Sequence, residues 1–156
     1  MPYSPRITIE DYVMSMLRLD MAKLPPRKPG CYGVWLSDFA GNEPQPSDKD
    51  KLVWVGKTDD GLLYRVTGCV LDAIGITGAG PLSGTEHSYF HVGGREIFLK
   101  HGNAKARLLL LTWRDDICPS CEEYRIYGMR GINTLNKRQV SPCPMSNHPL
   151  PAVTPF

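Results

Sequence analysis

The side chains best suited to hydrolysis lie close together in the first half of the chain. Tyr32 sits in Gly30-Cys31-Tyr32-Gly33-Val34-Trp35, Lys57 ends Leu52-Val53-Trp54-Val55-Gly56-Lys57, and Arg65 follows soon after. A phenol or an amine can take a proton from water. A guanidinium can neutralise a phosphate through paired hydrogen bonds. A carboxylate supplied later in the chain can hold a hard divalent ion through oxygen. Such a set suits hydrolysis of a phosphodiester.

Two adjacent candidates for that carboxylate are Glu122 and Glu123, and it is the resemblance described below that points to their helix. On a helix, Glu122 shares its face with Cys118, Cys121, Ile126 and Met129, which is mostly apolar. Glu123 shares its face with Pro119, Glu122, Tyr127 and Arg130, which is wetter. A metal carboxylate should look into the domain, so the spacing selects Glu122 as the ligand.

These residues need elements to position them. Residues 8–22 read as a helix capped by Thr8 and ended by Pro25-Pro26. Residues 31–37 and 51–56 read as two strands joined by the polar loop 39–50. Residues 61–76 show a continuous apolar helical face, interrupted near its start by Arg65. Residues 75–86 are rich in glycine. Residues 106–113 contain four consecutive leucines, as in a strand buried on both faces. A helix starts near Cys118, and the segment from 141 is too rich in proline for helix or central strand. The order predicts an α+β fold: an antiparallel sheet of about three strands flanked by helices. The expected division is an N-terminal helix and linker over 1–29, a domain over 30–140 and a Pro-rich tail over 141–156.

The pair of motifs resembles the GIY-YIG nuclease superfamily, in which a Gly-x-Tyr strand pairs with a Tyr-x-Gly strand and a helix carrying Arg follows. The resemblance runs from about Gly30 to Asn136. It implies a metal-dependent endonuclease that hydrolyses DNA, or RNA, by a one-metal mechanism with Mg2+ or Mn2+. Tyr32, or Lys57 with a lowered pKa, would deprotonate water, Arg65 would stabilise the pentacovalent phosphate, and Glu122 would hold the metal. Ile126 matches an Ile that the family places after this Glu. Asn136 is the closest match to a Pro-x-x-Asn that ends the family core, and it would join Trp54 and Arg65 in binding nucleic acid. Trp54 departs from the family Tyr, and an indole cannot relay a proton. Cys69 stands where many members carry His or Tyr, which leaves His87, His91 and His101 as candidates for that role. These departures also fit a catalytically weak nucleic-acid-binding module on the same scaffold.

Composition adds bounds. The chain has 156 residues and a net charge of +2, so a basic surface has to come from clusters such as Arg6, Arg18, Lys23, Arg27 and Lys28. Five cysteines, no apolar leader and no long apolar run predict a reduced cytoplasmic protein that does not span a membrane. Cys118, Cys121, Cys143 and His148 have a spacing that resembles a structural zinc pattern, which would make a zinc-stabilised interaction protein.

Overall fold

The computed structural model describes residues 3–38, 47, 49–76, 91–102, 108–130 and 143. Strands β1 (Ile7–Thr8), β2 (Gly30–Leu36), β3 (Lys51–Thr58) and β4 (Leu109–Arg114) form one antiparallel sheet in the order β1-β4-β2-β3. Helices α1 (Ile9–Leu17), α2 (Leu62–Ala73), α3 (Val92–His101) and α4 (Pro119–Arg130) complete an α+β fold. None of these helices is long and apolar enough to cross a membrane.

β2 is bonded on both edges, which suits its run of aromatic and β-branched residues. Its side chains alternate between two cores. Tyr32 and Val34 face a larger core with Tyr12, Val66, Val70 and Ile97, whereas Cys31 and Trp35 face a smaller one with Leu110 and Ile126. The consecutive leucines of β4 divide in the same way: Leu109 and Leu111 join the larger core and Leu110 the smaller.

β3 breaks this alternation. Val34 pairs with Trp54 but Trp35 pairs with Leu52, so Val53 is an extra residue. Val53 and Trp54 consequently both lie in the larger core, with Leu52 and Val55 on the opposite side. One added residue shifts every later side chain to the other face of a strand. This bulge therefore puts Trp54 and Gly56 on the face that carries Tyr32.

The sheet has a fourth strand because the N-terminal segment pairs with β4. Thr8 caps α1 as expected, its hydroxyl accepting the Asp11 N–H at 3.0 Å. α1 stops at Leu17, short of the expected 22, because Leu19 adopts a left-handed backbone (φ 55°). Ile9, Tyr12 and Leu24 pack into the same core as β2 and β3, so the described part of the N-terminal segment contributes to the domain that follows. α3 falls in a stretch for which the sequence predicted no element. Gly93 and Gly94 cost helix propensity there, roughly 1 kcal/mol each, and tertiary packing offsets the loss.

Tyr12 measures how firmly the N-terminal segment is held. It has no exposed surface, and its hydroxyl shares a 2.8 Å hydrogen bond with Thr67 of α2. Tyr12→Ala is expected to lower unfolding free energy by about 3–5 kcal/mol in urea denaturation. A loss below about 1 kcal/mol would mean that α1 is not part of the cooperative core.

Candidate functional site

The register sets Tyr32 opposite Gly56. The phenol lies across that glycine: a Cβ built on Gly56 would sit 2.5 Å from the Tyr32 Cζ. Any side chain there would displace the ring. Tyr32 is 1% exposed, and its hydroxyl is hydrogen-bonded to Nε2 of His91.

His91 is held on three sides. Its backbone N–H donates to the buried Asp72 carboxylate at 2.5 Å. Its Nδ1 accepts the Gly94 N–H at 3.2 Å, which caps α3. Trp54 meets its ring edge-on, with centroids 5.8 Å apart. Because Nδ1 accepts a hydrogen bond, the proton of the neutral ring sits on Nε2. His91 therefore donates to the Tyr32 oxygen and leaves the phenol proton free to point elsewhere. The two glycines make this approach possible. A Cβ on Gly93 would lie 2.7 Å from the Trp54 indole nitrogen, and one on Gly94 would lie 2.7 Å from Asp72 Cβ.

Arg65 is the exposed group around which these buried ones are arranged. Burial pushes the Tyr32 phenol well above its usual range, with Cys69 adding to the rise, while Arg65 and Trp54 oppose it. Burial, helped by Arg65, lowers His91 from 6.5 to about 3. Burial and Asp72 push the Cys69 thiol up to about 12, again against Arg65. From across the sheet, burial and Asp59 raise the Glu123 carboxyl, while Lys57 and Arg65 pull it down. One guanidinium is thus within electrostatic reach of Tyr32, His91, Cys69 and Glu123. Lys57 is half-buried and bonds Asp59 at 3.0 Å.

Glu122 is as buried as its helix phase predicted, and both of its oxygens are already hydrogen-bonded. Arg125 bonds it bidentately, Nε to Oε2 at 2.9 Å and Nη2 to Oε1 at 2.5 Å, and Tyr3 donates to Oε1 as well. It lies with Cys31 and Ile126 on the sheet face opposite Tyr32. Among the acids of α4, Glu123 is the one that shares charges with Lys57, Asp59 and Arg65.

The basic cluster read from the sequence divides. Arg6 stacks on Trp35 (3.7 Å) and bonds the buried Asp50 at 2.8 Å, so Asp50 is an internal acid and not a loop surface charge. Arg27 and Lys28 stay exposed beside the start of α2, where the carbonyls of Pro26 and Lys28 accept the Leu63 and Leu62 N–H groups. That places two further cations near Arg65.

Away from this site, the sulfurs of Cys118, Cys121 and Cys143 gather within 4.8 Å of one another, close enough to share a metal ion. Asn136, His87 and His148, and most of the 39–50 loop and of the glycine-rich stretch 75–86, lie outside the described residues. His91 was one of three candidate histidines in the sequence. Its signal was the following Gly93-Gly94 pair, which marks a close backbone approach.

No protein-family model, curated protein or solved structure matches this chain.

The buried, neutral His91 makes stability depend on pH. Between pH 6.5 and about 3 the unfolded chain binds a proton that the folded chain refuses, so stability falls as pH falls through that window. The contribution approaches about 1.4 kcal/mol per pH unit. Comparing wild type with His91→Gln by denaturant unfolding across this range is expected to show a shallower acid limb in the variant. Parallel limbs would mean that His91 protonates freely in the fold.

Proposed function

We propose that this protein is a metal-dependent phosphodiester hydrolase of the GIY-YIG type acting on nucleic acid, DNA in the first place. The observation that carries this reading is the position of Arg65. It is solvent-exposed, yet within electrostatic reach of Tyr32 on β2, His91 at the start of α3 and Glu123 on α4. The pairing of the Gly-x-Tyr and Trp-x-Gly strands through Tyr32 and Gly56 further supports it.

In this reading Arg65 pairs with the scissile phosphate, and Arg27 and Lys28 hold neighbouring phosphates through sequence-independent contacts. Tyr32 would take the proton of the attacking water as the phenolate, against the upward pull of burial on its pKa and with the help of Arg65. The Nε2–H of His91 orients that oxygen and stabilises its negative charge, and Trp54 supplies an apolar wall. A magnesium or manganese ion would offset charge on the phosphate and leaving oxygen. Glu123, with Asp59 near it, offers the oxygen donors such an ion takes. Glu122 does not, because its oxygens are taken up by Arg125 and Tyr3. The structural role of Glu122 is to satisfy Arg125.

A second reading, a nucleic-acid-binding module with little or no cleavage, is favoured by one observation: the Tyr32 phenol is 1% exposed. A group closed off from solvent positions its neighbours but does not meet water until something opens the pocket.

Plasmid nicking with and without Mg2+ separates the two. Arg65→Ala is expected to lower metal-dependent cleavage by at least ~10²-fold with folding unchanged. Binding without cleavage in the wild type would select the second reading. Equal cleavage by wild type and Arg65→Ala would remove Arg65 from the chemistry.

The two glutamates are expected to differ in kind. Glu123→Gln should abolish Mg2+ dependence and leave the melting temperature nearly unchanged. Glu122→Gln should destabilise the fold by about 3–5 kcal/mol, because it removes the negative charge from a buried, bidentate ion pair. A stable but inactive Glu122→Gln protein would return the metal to Glu122.

A further inference from the structure

We propose that Cys118, Cys121 and Cys143 form a structural zinc site that ties the chain at Cys143 to the first turn of α4. The inference stands apart from the hydrolase reading, because these thiols lie outside the Tyr32–His91–Arg65 group.

The geometry carries it. The three sulfurs come from two segments 25 residues apart in the chain, and all lie within 4.8 Å of each other. The Cys118 and Cys143 sulfurs are 3.8 Å apart. Four ligands about 2.3 Å from a tetrahedral zinc are separated by about 3.8 Å. A disulfide needs about 2.05 Å, so the thiols are spaced to share an ion and not to bond each other. None of the three is in a disulfide, and all are partly buried, as ligands enclosed by protein but reachable by an incoming ion should be.

The backbone supports the same conclusion. Cys118 and Cys121 bracket the start of α4 as a C-x-x-C, and the Glu122 N–H donates to the Cys118 carbonyl at 3.1 Å, which closes the turn between them. Pro119 opens the helix with fixed φ and no N–H to satisfy, so the turn is set before any ion arrives. Soft thiolate donors select zinc over magnesium or calcium. A water or a further side chain completes the tetrahedron. Among the described residues, no other His, Cys, Asp and Glu side chains gather in this way.

The site also has a structural purpose. Glu122 and Glu123 follow Cys121 directly. An ion held at this turn would fix the start of α4 and so the rotation at which Glu122 meets Tyr3 of the N-terminal segment. It would also close the chain between Cys118 and Cys143, which restricts the unfolded state.

The test begins with elemental analysis of wild-type protein purified without chelator. About one zinc per chain is expected, released when a mercurial blocks the thiols. Cys143→Ser and Cys118→Ser should lose the zinc, whereas Cys31→Ala should keep it. If the serine variants fail to fold, cobalt(II) exchange into wild-type protein provides the answer instead. An intense thiolate-to-cobalt charge-transfer band with strong tetrahedral d–d absorption supports the site. Removing the metal with 1,10-phenanthroline should lower the melting temperature, and adding zinc back should restore it. Metal-free wild-type protein with no thiolate–cobalt band overturns the proposal. So does a Cys118–Cys143 disulfide in the freshly purified chain.

Discussion

The antiparallel register that places Tyr32 against Gly56 is the constraint on which the rest of the site depends. With hydrogen in place of a side chain, the β3 backbone lets an aromatic ring lie flat across it. That position takes the Tyr32 hydroxyl to Nε2 of His91. The bulge at Val53 is what makes the register productive, because it turns Trp54 onto the same face two positions before Gly56. A regular β3 continued from Leu52 would have presented Val55 to the His91 side and sent Trp54 towards α4. Sheet register is two-valued in this sense: a slip by one residue exchanges entire faces.

The two faces of the sheet then divide the labour. One carries the larger core, with α1, α2 and α3 packed around Tyr32, His91 and Asp72. The other carries α4, where Glu122, Arg125 and Tyr3 form a closed polar group against Cys31 and Trp35. Burying a carboxylate is costly unless it is paired and fully hydrogen-bonded. Glu122 meets that condition by using both oxygens on its own neighbours. A ligand to a hard ion has to keep a lone pair and some access to water, and on α4 the less buried Glu123 meets that description.

Electrostatics links the faces through Arg65. It is the cation that acts on the buried phenol, imidazole and thiol on one side and on Glu123 on the other. It stands in the first turn of α2, the turn whose Leu62 packs against Gly30 of β2. Cys69 lies one turn on, and His91 reaches the phenol from the start of α3. The glycines at 93 and 94 reduce helix propensity, and in return allow α3 to approach Trp54 and Asp72 to within contact distance.

Local pattern was enough to read the α+β class, the paired strands around Tyr32 and Gly56, the helix bearing Arg65, the two-sided burial of the leucine strand and the thiols of α4. Each of these rests on periodicity, capping or spacing within a few residues, which a chain carries in its own order. Three things were beyond it. The Ile7–Thr8 strand exists only because β4 offers an edge to pair with. α3 exists only because packing compensates for its glycines. The partners of Glu122 and Glu123 depended on what stands opposite them. Helix phase correctly marked Glu122 as the inward residue, yet inward proved to mean Arg125 and Tyr3, partners contributed by α4 itself and by the N-terminal segment. Which residues face the protein interior is a local property. What they meet there is set by the register and by segments distant in sequence, and only the folded chain decides it.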